Sequence, residues 1–189
     1  MLLKFKEQVV GDFLIPAFTL SKGELVIIQI PNTTSTPPLE FLLADILTGK
    51  IQNNETEIHA FLKFAEYPKE GWFRFHFVPQ TVQEYITQNS GPDKETALRI
   101  YDMKDVGPKN RVQELAWFYK RLLSIFTTLS CTKNLVFSLV GLSPNSGVEI
   151  YNLVKKEVET GGAAILIDNF FEEFKNDCTT FITAKYLSE

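Results

Sequence analysis

Three apolar runs constrain this chain more than any other feature. "ELVIIQI" (Glu24 to Ile30), "NLVFSLV" (Asn134 to Val140) and "AAILID" (Ala163 to Asp168) are rich in β-branched residues and show no polar alternation. Such runs mark strands buried on both faces of a parallel sheet. Segments of helical pattern separate them: "PLEFLLADIL", "VQELAWFYKRLLSIFTTLS" from Val112, and "GVEIYNLVKKEVET" ending at Gly161 and Gly162. The glycine pair is a helix stop signal. Strands alternating with helices require right-handed crossovers, which place helices on both faces of the sheet. The expected fold class is therefore α/β with a mostly parallel sheet.

At 189 residues, 44% hydrophobic and 22% charged, the chain is long and apolar enough for one domain with a proper core. A net charge of -4 argues against nucleic acid as a partner, since phosphate contacts need a basic face. No apolar run reaches bilayer-spanning length. The opening "MLLKFKEQVV" lacks the h-region of a signal peptide, so a cytoplasmic location is expected. Cys131, Cys178, His59 and His76 show no metal-ligand spacing, and no metal site is assigned. "TQNSGPDKE" (Thr87 to Glu95) is the breaker-rich stretch expected on the surface.

The loop between the first run and its helix is "IPNTTSTPP", Ile30 to Pro38. A strand, loop and helix in this order can hold phosphate through backbone N–H groups, glycines and a lysine. This loop resembles the Walker A segment of ATP-binding cassette (ABC) ATPases, with Pro31 and Asn32 retained. The family's glycines fall on Ile30, Thr33 and Ser35, its lysine on Thr36, and its magnesium-binding hydroxyl on Pro37; Thr34 completes the segment. Loss of the lysine removes the charge that offsets phosphate. Pro37 and Pro38 delete two N–H donors while suiting a helix start. Glu40 is expected in that first turn, where an anion favours the helix and repels phosphate. The plain expectation for Thr33 to Thr36 is capping of the helix.

Further stretches resemble the same family in order. "HFVPQTVQEYI" is similar to the Q-loop, with Gln80 on its glutamine. The signature motif falls on Leu115, Ala116, Trp117, Phe118 and Tyr119, without its glycines. "FSLVGLSP" resembles the end of Walker B and the D-loop: Gly141, Leu142 and Pro144 are retained, Ser138 stands for the magnesium-coordinating aspartate and Ser143 for the D-loop aspartate. The catalytic glutamate's place falls near Leu139. "GGAAILIDNFFEE" resembles the last strand and switch, with Asp168 preceding Asn169, which replaces the histidine. The aromatic that stacks on adenine falls near Val10, with Phe13 close by. The C-terminal "CTTFITAKYL" reads as hairpin-like. The resemblance implies a P-loop NTPase fold over residues 1–189, with residues 81–115 as a reduced helical subdomain.

The resemblance with these replacements implies a pseudo-ATPase acting as an interaction or scaffold subunit, with no catalytic residue and no cofactor. Its partner would be another copy, an intact ABC ATPase subunit or a membrane transporter component, which could bring it to the inner face of a membrane. The alternative is a divergent nucleotide-binding ATPase or sensor that holds ATP and magnesium through Thr33–Thr36 and Gln80. Other expectations compete at single residues. Gln80 is either a solvated loop glutamine or a ligand or partner contact. Trp117 to Tyr119 either pack into their own core or form a hydrophobic interface.

Overall fold

The alternation of apolar runs and helices becomes a parallel sheet in the computed structural model, which describes residues 1–32, 36–69, 77–169 and 172–187. The chain forms two compact units: Met1–Phe64 with Lys133–Val140 and Tyr151–Glu189, and Ala65–Thr132 with Gly141–Ile150.

The first unit opens with four short strands, β1 (Leu3–Phe5), β2 (Gln8–Val10), β3 (Phe13–Ile15) and β4 (Phe18–Leu20). They are followed by β5 (Leu25–Gln29), α1 (Thr36–Leu47), β6 (Thr56–Ile58) and β7 (Lys63–Phe64). Later in the chain come β8 (Asn134–Phe137), β9 (Ala163–Asp168), β10 (Thr180–Thr183) and β11 (Lys185–Tyr186). Among the described residues a five-stranded sheet has the order β10-β5-β9-β8-β7, and every pairing in it is parallel. Two antiparallel sheets of three strands, β4-β1-β6 and β11-β3-β2, accompany it.

Both faces of the parallel sheet are buried. Val26, Ile28, Ile165 and Ile167 share one core with Leu39, Leu43 and Leu47 of α1 and with Phe5, Phe13 and Phe18 of the antiparallel strands. Ile27, Leu135, Phe137 and Leu166, which alternate to the other face, are equally enclosed. The C-terminal segment is not a hairpin: β10 runs parallel to β5, while β11 pairs with β3 in another sheet. Ala184 turns the chain between the two, its N–H bonded to the carbonyl of Gln29 at 2.8 Å.

The second unit is helical. It contains α2 (Val82–Asn89), α3 (Lys94–Leu98) and α4 (Trp117–Leu129), and residues 81–115 lie within it. The helix expected from Val112 is interrupted. Val112–Glu114 forms a 3-10 turn, then Leu115 and Ala116 are extended, with ψ of 141° and 153°. A last helix, α5 (Pro144–Glu159), begins among the residues of the second unit and ends among those of the first.

Candidate functional site

In a parallel sheet all strands finish at the same edge, and ligands of α/β proteins bind beyond that edge. The register pairs Gln29 with Asp168, and Phe137 with Leu166. Ile30 to Asn32, Ser138 to Val140, and Asp168 with Asn169 therefore leave the ladder side by side, all in the first unit. Ile30 is buried, Pro31 half-buried and Asn32 exposed. Thr33, Thr34 and Ser35 lie outside the described residues, so their expected capping of the helix does too. Thr36 and Pro37 open α1. Because the helix begins at Thr36, Glu40 falls in its second turn rather than its first, and it is buried. The helix dipole acts within the first turn, so Glu40 is not placed to favour the helix or repel phosphate through it. Phe13, near the place of the adenine-stacking aromatic, is fully enclosed, its ring 5.2 Å from that of Tyr186.

At the sheet edge the side chains of Asp168 and Ser138 bond to backbone of the chain itself. Asp168 is 4% exposed; its Oδ2 accepts the N–H of Leu139 at 2.9 Å and its Oδ1 the N–H of Asn169 at 2.7 Å. Its carbonyl accepts the N–H of Ile30 at 2.8 Å. Ser138 is 0% exposed, and its Oγ accepts the N–H of Val140 at 3.1 Å. That bond pulls the backbone out of the ladder after Phe137, so β8 ends three residues before the apolar run does. Asn169 is half-buried, and among the described residues its Oδ1 has no hydrogen-bond partner.

Magnesium needs carboxylate or water oxygens in octahedral array, and a triphosphate needs cationic donors. Where the resemblance puts the metal-binding aspartate, Ser138 is an enclosed hydroxyl already bonded to Val140, and where it puts the catalytic glutamate, near Leu139, the chain is apolar. These donors do not fit a magnesium–triphosphate group. Among the described residues, no cluster of three or more His, Cys, Asp or Glu side chains could hold a metal ion.

The remaining candidates lie in the second unit. Gln80 is not a solvated loop residue. It is 5% exposed, its Nε2 donates to Oε1 of Gln88 at 2.7 Å, and its carbonyl accepts the N–H of Val112 at 2.9 Å. Next to it, Thr81 caps α2 in a reciprocal box with Glu84. The signature-like residues divide. Leu115 is buried and Ala116 exposed, while Trp117 is 58% exposed and Phe118 and Tyr119 are half-buried. The expectation that all three aromatics pack into their own core fails for Trp117, since the enclosed part of α4 starts at Arg121. Lys120 Nζ lies 5.0 Å from the centre of the Trp117 ring, and the Tyr67 ring meets it edge-on at 5.3 Å. Gly141 takes a φ of +86°, which favours glycine there. Leu142 is half-buried. Ser143 accepts the N–H of Ser146 at 3.3 Å, and Pro144 opens α5 behind this cap.

Among the buried polar side chains of the second unit, Arg121 and Tyr85 carry the largest polar groups without any motif to mark them. Arg121 is 1% exposed; its Nη1 donates to the carbonyl of Ala65 at 2.7 Å and its guanidinium stacks 3.6 Å over Tyr67. The signal was a cation at the head of the apolar stretch "RLLSIF", on the side of α4 that its neighbours Leu122 and Ile125 bury. Burial pushes the Tyr85 phenol up to about 12, the neighbouring Glu66 charge adding to it and Thr127 and Arg121 opposing.

No helix among the described residues is long and apolar enough to cross a membrane. No family model matches the chain, and no curated protein matches it. Solved structures do. The ATP-binding subunit of an ABC transporter superposes with a TM-score of 0.72 at 11% identity, over 99% of this chain and 87% of that one. A nucleotide-free ATP-binding cassette from an ABC transporter gives 0.71 at 15% identity, over 98% and 88%. The cbiO1 protein of Clostridium perfringens, part of the ABC transporter complex cbiONQ, gives 0.68 at 14% identity, over 98% and 85%. Superposing over nearly its whole length, the chain has the fold of the ATP-binding cassettes of ABC transporters.

Proposed function

We propose that this chain is an ABC-ATPase-like protein without ATP turnover, a pseudo-ATPase that serves as an interaction or scaffold subunit. The observation that carries the reading is the sheet edge. Ser138, at the metal-binding position, is fully enclosed and bonded to Val140, and the neighbouring carboxylate of Asp168 is engaged by backbone N–H groups. Phosphoryl transfer depends on positioned charge and a metal ion. Neither the Walker A lysine nor the Walker B acid of the family is present to supply them. Its partner would be a second copy, an intact cassette subunit or a membrane transporter component, and any place beside a membrane would come through that partner.

Titration calorimetry with Mg·ATP tests the first half. A ligand that binds only the folded state adds about 2.7 kcal/mol at 100 times its Kd, or roughly 5–11 °C in Tm for a chain of this length. We expect no heat and no shift at millimolar ATP; saturable heat would overturn the proposal. The second half has a sharper form, self-association through Trp117, because exposed tryptophans anchor interfaces. Sedimentation should show an oligomer that Trp117→Ala weakens by at least about 30-fold, the equivalent of 2 kcal/mol. A variant with native stability and native sedimentation would remove Trp117 from that role.

A further inference from the structure

Asp168 engages the outgoing backbone of three adjacent strands. It closes β9, its Oδ2 accepts the N–H of Leu139 just beyond β8, at 2.9 Å, and its carbonyl accepts the N–H of Ile30 just beyond β5, at 2.8 Å. Its Oδ1 accepts the N–H of Asn169 at 2.7 Å, and the whole residue is 4% exposed. Backbone N–H groups that leave secondary structure and converge on one point are the donors with which proteins hold oxyanions. Here the anion on two such donors belongs to the chain.

We propose that Asp168 is an internal oxyanion: its carboxylate occupies the N–H groups of Leu139 and Asn169, fixes the sheet edge and closes it to an exogenous carboxylate or phosphate. This rests on the reading of the edge as inactive and gives it a cause, since the Leu139 and Asn169 N–H groups are occupied before any ligand arrives. The two claims fail separately. Mg·ATP titration of the native chain tests the function, whereas anion rescue of Asp168 variants tests the carboxylate.

The experiment compares melting of the native chain, Asp168→Ala and Asp168→Asn in sodium chloride and in sodium formate of equal ionic strength. Asp168→Ala leaves a space of carboxylate size facing two donors. It should melt about 3–12 °C below the native chain in chloride, the range for a lost hydrogen bond to a charged group. Formate should restore at least about a third of that loss, while the native chain and Asp168→Asn, whose sites remain filled, gain no such increment. A folded Asp168→Ala that ignores formate would overturn the proposal. Should Asp168→Ala not fold, Asp168→Asn decides, because it keeps the shape and removes the charge. A drop of at least about 3 °C supports the charged role, and native melting refutes it.

Discussion

Gly162→Ala is predicted to destabilise the chain strongly, although alanine is the smallest side chain that could be added. Helix α5 ends in a Schellman motif: Gly161 N–H bonds to the carbonyl of Val158 at 3.0 Å and Gly162 N–H to that of Glu157 at 3.1 Å. A Cβ at Gly162 would lie 2.6 Å from the Lys133 oxygen and 2.9 Å from the Glu157 oxygen. Neither can withdraw freely. The Lys133 oxygen accepts the N–H of Ala163 at 3.1 Å, and the Glu157 oxygen belongs to the motif itself. The Gly162 carbonyl is in turn held by the N–H of Gly23 at 2.7 Å. Overpacking of this kind costs about 1–3 kcal/mol, and one broken cap bond about 0.5–1.5 more. The sum, about 1.5–4.5 kcal/mol, lowers Tm by about 3–18 °C. Gly161→Ala is the control. Gly161 has a φ of +97° and nothing within 4 Å of an added Cβ, so it bears only the left-handed strain, about 1–2 kcal/mol. Urea unfolding of both variants, with unchanged m, gives the comparison directly. A Gly162→Ala midpoint equal to the native one, or a loss smaller than that of Gly161→Ala, would refute the reasoning.

Tyr85→Phe should alter the alkaline limb of stability. The native phenol titrates near 12 against 10 when unfolded, so both states are protonated below pH 10, and between pH 10 and 12 the unfolded state ionises first. Tyr85 therefore contributes a fall in stability of roughly 3 kcal/mol across that window, and Tyr85→Phe should lose that much less than the native chain in paired urea melts at pH 9 and pH 12, Tyr151, also raised by burial, acting equally in both. Thr81→Ala removes one half of the capping box of α2, in which Glu84 N–H meets Thr81 Oγ1 at 3.2 Å and Thr81 N–H meets Glu84 Oε2 at 2.9 Å. The expected loss is about 0.5–2 kcal/mol in thermal unfolding, and a Thr81→Ser variant should recover most of it.

How far the sequence is legible depends on where each element finds its partners. The run Ala163 to Asp168 matches β9 residue for residue, because all six residues are buried and its one polar side chain, that of Asp168, stands at the last position, where its bonds to Leu139 and Asn169 leave the pairing of β9 intact. The run from Asn134 overshoots β8, since Ser138 bonds its own neighbourhood and ends the pairing early. The antiparallel strands leave little local trace. β1 to β4 are three residues each, too short for alternation to stand out, although Leu3 and Phe5 do flank an outward Lys4. β10 and β11 read locally as a hairpin because their partners, β5 and β3, lie more than 150 residues earlier. Local pattern carries no trace of such a pairing.

The candidate residues show the same division. Pattern identified their positions, but their roles depend on donors that no pattern displays. Where the resemblance places a metal ligand, Ser138 bonds Val140. At the switch, Asp168 bonds Leu139 and Asn169; at the D-loop, Ser143 caps α5; and at the Q-loop, Gln80 bonds Gln88. Three of these four take backbone N–H groups, which every residue except proline possesses and which are therefore invisible in a sequence. A buried polar atom must find a partner or cost about 1–3 kcal/mol. Replacing ligand-binding residues with shorter or neutral ones is tolerated only where the chain itself can supply that partner. Pattern thus singles out Ser138, Ser143, Asp168 and Gln80, and the structure gives each of these four a partner from the chain itself.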